Sequence, residues 1–439
     1  MSTTIEPTPS THARPVRRGS FAKTLVGSGV EMFDWTIYST FASFFATSFF
    51  GADLQLAYLN SLIVFAVGFI ARPLGSLLFG RISDTRGRRA SLLGTSPFAL
   101  VGTLMIALSP THGMIGVGAV IVLITARVIQ GLAHGGEQPA AGAYVSEQAA
   151  PERRGAASSL IYVAFMAGTL LGTLIGAGLS SVVGEQALTE WAWRIPFVVA
   201  GVLSLVALVL VHQVSETEVF TAAREEMRER PRILREMVRA WRPTLQIILV
   251  TFGVTIAIQN WAAMSGYHIA VFGSSATQTL WTAVFANAVA IPLLPLWGRL
   301  SDRIGRRPVM IIGLGGVALT CYPFMEFLDG SWQHMALTMT ISQALLMGPL
   351  AILPALMAEL VPTSIRTIGV GFGYALATAV FGGTVPALQA WIGGTWGPQY
   401  FALYVTAAAV VSIVVLLATV PETRAKDQHA ETTTADLAR

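Results

Sequence analysis

Ionisable side chains interrupt stretches that are otherwise apolar, among them Glu31, Asp34, Arg72, Arg127, Glu137 and Arg194. A charge at the centre of a hydrocarbon layer costs at least ~2.5 kcal/mol on insertion scales, so such residues pair with one another or line a wet cavity. Glu31 and Asp34 are three residues apart and share one face of a helix. Whether a carboxyl at such depth keeps its proton depends on whether a guanidinium lies beside it. An anion arriving at Arg127 would compete with Asp34 for that guanidinium, release the carboxyl and favour its protonation. Anion and proton would then bind together. Asp34 is the preferred proton carrier and Glu31 the alternative. Glu137, ten residues beyond Arg127, serves either a proton exit route or a gate contact.

Arg72 is followed by Pro73-Leu74-Gly75 and fits either a second substrate clamp or a side chain snorkelling to the surface. Arg194 reads as an interfacial anchor. The stretch Gln259, Asn260, Trp261, Tyr267 and His268 is polar and aromatic enough to hold a small polar solute, and core packing explains it equally well. Trp35 and Tyr38 are comparable cavity candidates. No spacing of His, Cys, Asp and Glu suits a metal, and Cys321, the single cysteine, has no partner for a disulfide.

The elements that position these residues are membrane helices. The 439-residue chain is 53% hydrophobic and 12% charged, about half the charge of ordinary soluble domains, and its mean hydropathy is +0.62. Its apolar residues fall into about twelve runs of roughly twenty, the length that crosses a hydrocarbon core: 24–50, 58–79, 91–109, 115–139, 156–183, 193–213, 244–272, 278–297, 309–328, 334–358, 366–392 and 399–420. Of the 28 Lys and Arg residues, 25 lie in the termini or in the loops after runs 2, 4, 6, 8 and 10. This positive-inside pattern puts both termini in the cytoplasm of a cell-membrane protein, and it explains the basicity without nucleic acid. Asp34 lies about 16 Å from Lys23 at 1.5 Å per residue. Arg127 reaches a similar depth from the other side, so the two can meet at the midplane. Residues 1–23 carry no signal peptide, and run 1 serves as the insertion signal.

Two repeats divide the chain. Gly80-Arg81-Ile82-Ser83-Asp84-Thr85-Arg86-Gly87-Arg88-Arg89 returns 218 residues later as Gly298-Arg299-Leu300-Ser301-Asp302-Arg303-Ile304-Gly305-Arg306-Arg307, with seven of ten positions identical. Glu147 and Arg154 return as Glu359 and Arg366, 212 residues later. The organisation is therefore an N-terminal tail at 1–23, a six-helix bundle at 24–213, a central loop at 214–243, a second bundle at 244–420 and a tail at 421–439. The charged stretch from Glu216 to Arg230 reads as a solvated linker, with an amphipathic surface helix as the alternative.

The duplicated phrase resembles the loop signature of the major facilitator superfamily. That resemblance implies the all-α fold of twelve transmembrane helices in two pseudo-symmetric bundles, with runs 1 and 4 beside one cavity. It also implies an inner-gate latch built from Gly80, Arg81, Asp84, Arg88, Gly298, Arg299, Asp302, Arg306 and the Glu147, Arg154, Glu359 and Arg366 set. Further phrases resemble its metabolite:proton symporter branch: Gly29-Val30-Glu31-Met32-Phe33-Asp34-Trp35-Thr36-Ile37-Tyr38, Arg72-Pro73-Leu74-Gly75, Arg127-Val128-Ile129-Gln130-Gly131 with Gly135-Gly136-Glu137, Trp193-Arg194-Ile195-Pro196-Phe197, and Phe381-Gly382-Gly383-Thr384-Val385-Pro386. The first departs from the branch pattern by one missing spacer and by Met32, Phe33 and Trp35. The branch implies proton-coupled uptake of a small organic acid, or of a zwitterion such as proline or betaine, by a monomer without cofactors. A facilitator or exporter without proton coupling is the remaining alternative. No phosphate-cradling loop supports direct ATP drive, no nucleophile or metal set supports an intramembrane enzyme, and the last nineteen residues are too short for an osmosensing coiled coil.

Overall fold

In a computed structural model, residues 18–147, 154–216, 241–361 and 366–422 are described. Outside them lie most of the central charged stretch, both tails, and the segments 148–153 and 362–365. The side chains of Asp84, Glu147, Arg154 and Arg366 are likewise outside the described part.

Every apolar run is a helix. In chain order these are α1 (Arg18–Phe50), α2 (Leu54–Arg86), α3 (Arg88–Ala107), α4 (Gly118–Glu147), α5 (Arg154–Ala187), α6 (Arg194–His212), α7a (Trp241–Ala262) with α7b (Met264–Phe272), α8 (Ala276–Ile304), α9 (Arg306–Glu326), α10 (Trp332–Leu360), α11a (Arg366–Ala377) with α11b (Val385–Thr395), and α12 (Pro398–Thr419). No strand occurs among the described residues. Eleven spans among the described residues are long and apolar enough to cross a membrane. The twelfth, α1, has 33 residues, but Glu31, Asp34 and seven Ser and Thr hydroxyls from Ser28 to Ser48 lower its hydropathy. Several helices outrun their apolar runs. Thus α2 continues to Arg86 and α8 to Ile304, carrying charged turns into solvent.

Burial is inverted relative to a soluble protein. Ile70, Leu74, Val182 and Leu319 are exposed, whereas Glu31, Asp34, Arg72 and Arg127 are buried. Lipid accepts the apolar exterior, and backbone polarity is satisfied inside each helix. Exposed Trp191, Trp281, Trp332, Trp391, Trp396 and Tyr400 sit at helix ends on the side away from the duplicated phrases, as aromatic belts do at an interface.

In the first half α2 packs on α4, α1 on α5, and α3 on α4 and α6. In the second, α8 packs on α10, and α9 and α7a on α12. The halves meet chiefly through α5 with α8 and α2 with α11a. Glycine sets the tightest of these contacts. A Cβ on Gly131 would strike the carbonyl oxygen of Gly68, and one on Gly135 that of Arg72, so α2 and α4 touch backbone to backbone. The helical ladder breaks at Ala263 between α7a and α7b, and at a π turn, Thr378–Gly382, within the eleventh span. Such turns cluster at functional positions.

Gly135→Ala is expected to destabilise the protein by about 1–3 kcal/mol through overpacking. Gly178→Ala, where a Cβ meets nothing within 4 Å, leaves stability unchanged or slightly raised. Thermal unfolding in detergent checks the pair; equal midpoints would contradict the close approach.

Candidate functional site

Between the halves lies a cavity of about 130 Å³. Trp35, Thr36, Phe69, Arg72 and His134 line it from the first half, and Thr255, Gln259, Asn287, Gln343 and Tyr374 from the second. Among the described lining residues Arg72 is the one Lys or Arg, and none is Asp or Glu. Its guanidinium lies 3.7 Å from the Phe69 ring centroid and 4.0 Å from that of Trp35. Its Nε has no hydrogen-bond partner among the described residues. The sequence left Arg72 divided between clamp and snorkel; the structure turns it into the cavity.

Arg127 is placed differently from its expectation. It is completely buried, outside the cavity wall, with its guanidinium 4.0 Å from the same Trp35 ring and 4.5 Å from Tyr38. Trp35 therefore serves two cations, while Phe65 and Phe69 hold it by edge contacts at 5.4 and 4.9 Å. Nor do Arg127 and Asp34 meet directly. Gln130, one turn along α4, comes between them: its Oε1 accepts from Arg127 Nη1 at 2.7 Å and its Nε2 donates to Asp34 Oδ2 at 2.5 Å. Thr103 of α3 donates to Asp34 Oδ1 at 2.7 Å. Gln130 and Thr103 were missed in the sequence. For Thr103 the only signal was neutral polarity inside an apolar run; Gln130 also stood in the 127–131 phrase.

Glu31, a turn before Asp34, hydrogen-bonds through Oε1 to His134 Nδ1. Glu137 lies deeper on the motif side: its Oε1 is 3.6 Å from where a Gly27 Cβ would stand. The remaining candidates fall outside the cavity lining. Tyr38 donates to the Ser61 carbonyl at 3.2 Å, and Asn260 accepts from Gln389 at 3.1 Å. Tyr267 packs under Gly393, and the ring of His268 lies 5.1 Å from that of Phe272. The break at Ala263 instead presents Gln259, Trp261 and Ser265 to the cavity. Arg194, half-buried, donates to the Ser109 carbonyl at 3.1 Å and covers Trp193.

The duplicated phrases fold alike. Gly87 and Gly305 have φ of 109° and 106°, a left-handed turn between consecutive helices. Gly80 and Gly298 are buried, Arg81 and Arg299 exposed. Arg88 Nη1 donates to Ser83 Oγ at 3.2 Å. Arg306 Nη1 donates to Ser301 Oγ and to Asp302 Oδ1, both at 2.7 Å, and its Nη2 lies 3.9 Å from Glu359 Oε1. Two acids not foreseen complete the pattern. Glu216, after α6, accepts from the backbone N–H groups of Arg88 and Arg89, and Glu422, after α12, from those of Arg306 and Arg307, all at 2.8–3.1 Å. Each carboxylate thereby caps a helix N-terminus.

The family described as "Sugar (and other) transporter" matches residues 22–247, and that described as "Major Facilitator Superfamily" matches residues 247–438. The alpha-ketoglutarate permease of Escherichia coli (strain K12) is 34% identical over 89% of this chain and 91% of its own. The chain belongs to the major facilitator superfamily. The citrate-proton symporter of Salmonella typhi is 31% identical, covering 87% of this chain and 88% of that one. A xylose transporter of E. coli, solved in a partially occluded inward-open conformation, superposes with a TM-score of 0.70 over 93% of this chain and 99% of that chain, at 19% identity. This last likeness carries the fold alone. As a member of the superfamily, the chain is a membrane transporter and not an enzyme, and its branch is that of the metabolite:proton symporters.

Thr103→Val and Gln130→Leu should each destabilise by about 1–3 kcal/mol, because each leaves Asp34 short of a buried hydrogen bond. Their double variant should fall short of additivity by about 0.5 kcal/mol or more if the residues act as one network. Unfolding midpoints of the four proteins test this; strict additivity would separate Thr103 from Gln130.

Proposed function

We propose that this superfamily member takes up a small organic anion together with protons by alternating access, with the anion held at Arg72. The observation that carries the reading is one guanidinium on the cavity wall whose Nε has no hydrogen-bond partner, with no carboxylate in the lining, among the described residues. An anion is recognised best where the site's cation has no competing internal partner. Gln259, Asn287 and Gln343 across the cavity offer neutral donors to further carboxylate or oxo groups. The names of the relatives, an alpha-ketoglutarate permease and a citrate-proton symporter, support a carboxylate and a proton. A zwitterion would need an acid on the wall for its cationic end, and none stands there among the described residues.

Arg127 acts through Trp35 and Gln130 rather than by touching substrate. The proton-coupling acids are Asp34, Glu31 and Glu137, all on the first half. Residues 24–213 and 244–420 move as two bodies about the cavity, with 214–243 as the hinge. The basic loops put the duplicated phrases and both termini in the cytoplasm. The helix-capping clusters at Arg88 and Arg306 keep the cytoplasmic ends of each body rigid and latch the inner gate. One chain contains the whole cavity, so a monomer suffices.

In proteoliposomes, uptake of 2-oxoglutarate or citrate should saturate and should rise with an inward pH gradient. Arg72→Gln should weaken binding by roughly 30-fold or more, the worth of a charge-assisted hydrogen bond of about 2–3 kcal/mol. Arg72→Lys should recover part of that loss. Substrate-induced thermal shifts measure both. Unchanged affinity in Arg72→Gln would move the anion site elsewhere.

A further inference from the structure

The first half holds more ionisable groups than anion binding at Arg72 needs, and among the described residues only one of them places an imidazole or carboxyl group on the cavity wall. That residue is His134, whose Nδ1 is bonded to Glu31. Asp34, by contrast, is off the wall, and each of its oxygens accepts from a neutral donor, Thr103 or Gln130. We propose that Glu31 and His134 together form the proton seat of this carrier, with His134 as the member that faces the substrate. This inference rests on the anion–proton symport reading and says where in that site the proton sits.

The chemistry follows from charge. With Glu31 ionised and His134 neutral, the pair carries one negative charge beside Arg72 and repels an arriving carboxylate. One proton taken from water on the outer side neutralises the pair, whichever of the two atoms carries it, and leaves the full charge of Arg72 for the anion. The same proton is later given up to water on the inner side. The charged groups around the pair are Asp34 on α1, Arg72 on α2, and Arg127 and Glu137 on α4. Tyr162 of α5 and Tyr374 of α11a line the same cavity. Glu137 stands one turn further along α4, beside Gly27 one turn back along α1, so it marks the inner end of the release route.

His134 is also a positioning problem with a clean chemical test. Asparagine can keep a donor near the place of Nδ1 and hold Glu31, but it does not titrate. In proteoliposomes of the full chain, the double variant Glu31→Gln/His134→Asn, in which neither member of the pair titrates, should lose accumulation of 2-oxoglutarate or citrate driven by a pH gradient. For wild type, substrate affinity in detergent should rise roughly 5- to 150-fold as pH falls, the usual span of coupling between two ligands. In the double variant that rise should flatten, and a pH dye should report about one proton fewer taken up per substrate bound. Glu31→Gln, which removes the negative charge that the proton neutralises, should give the same flattened profile, which covers the case in which the double variant does not fold. A wild-type pH profile and proton count in either variant would overturn the proton seat while leaving anion transport at Arg72 intact. Gradient-insensitive uptake by wild type would instead overturn the symport reading itself, and this proposal with it.

Discussion

Charges at membrane depth must be solvated by the protein, and in this chain that task converges on the face of one indole. Arg72 and Arg127 each lie 4.0 Å from the Trp35 ring. Two guanidiniums so placed repel one another, and the quadrupole of a ring shared between them is the attraction that offsets it. Three helices must cooperate to make the arrangement: α1 supplies the ring, α2 one cation and α4 the other. The glycines of α2 and α4 allow it, because only backbone contact brings both arginines to a single side chain. Phe65 and Phe69 fix the ring's tilt.

The second feature is the use of neutral groups where counter-ions are expected. Asp34 and Arg127 are joined through Gln130, not bonded to each other. An amide between two charges satisfies a donor and an acceptor at once without forming a tight ion pair, whose partners would be difficult to separate in a low dielectric. The consequence reaches the cavity. Arg72, which no carboxylate hydrogen-bonds among the described residues, turns its charge to the cavity. A carrier needs that economy, since a site that satisfies itself binds nothing.

Much of the architecture was legible because hydropathy, charge and repetition each report on long stretches of chain. All twelve runs became helices, and the duplicated Gly-Arg-x-Ser-Asp phrase became two matching turns at Gly87 and Gly305. Which arginine faces the cavity was not legible, since it depends on the rotation of α2 and α4 about their axes. The same limit applies to α7a and α7b. Asn260, Tyr267 and His268 had the right types but point away, because the break at Ala263 decides which residues of that span reach the cavity. Thr103 and Gln343 are neutral polar residues, common in apolar runs, and nothing in their spacing singles them out; Gln130 stood in the 127–131 phrase, but its bonds to Arg127 and Asp34 were not readable there. Glu216 and Glu422 were readable in principle: Val214-Ser215-Glu216-Thr217 and Val420-Pro421-Glu422-Thr423 form a third repeat. Its meaning needed the helix N-termini that these carboxylates cap.

The kinds of contact within and between halves also favour motion at one boundary. Inside each half, the ends that carry the duplicated phrases are tied by charge-assisted bonds, Glu216 to the start of α3 and Glu422 to the start of α9. Bonds of that type are about twice as strong as neutral ones. Across the halves the described ties are mostly between neutral groups: Ser180 with Thr277 at 2.7 Å, Trp281 with Ser181 at 3.1 Å, and Asn287 with Thr173 at 3.4 Å. One carboxylate crosses, Glu185 to the backbone N–H of Ala276 at 2.7 Å, and it does so at the exposed outer rim where water can replace it. A structure held this way yields first between its halves. The cavity that contains Arg72 and His134 lies on that plane of separation, so a change of charge there acts at the place where least work is needed to move the two bodies.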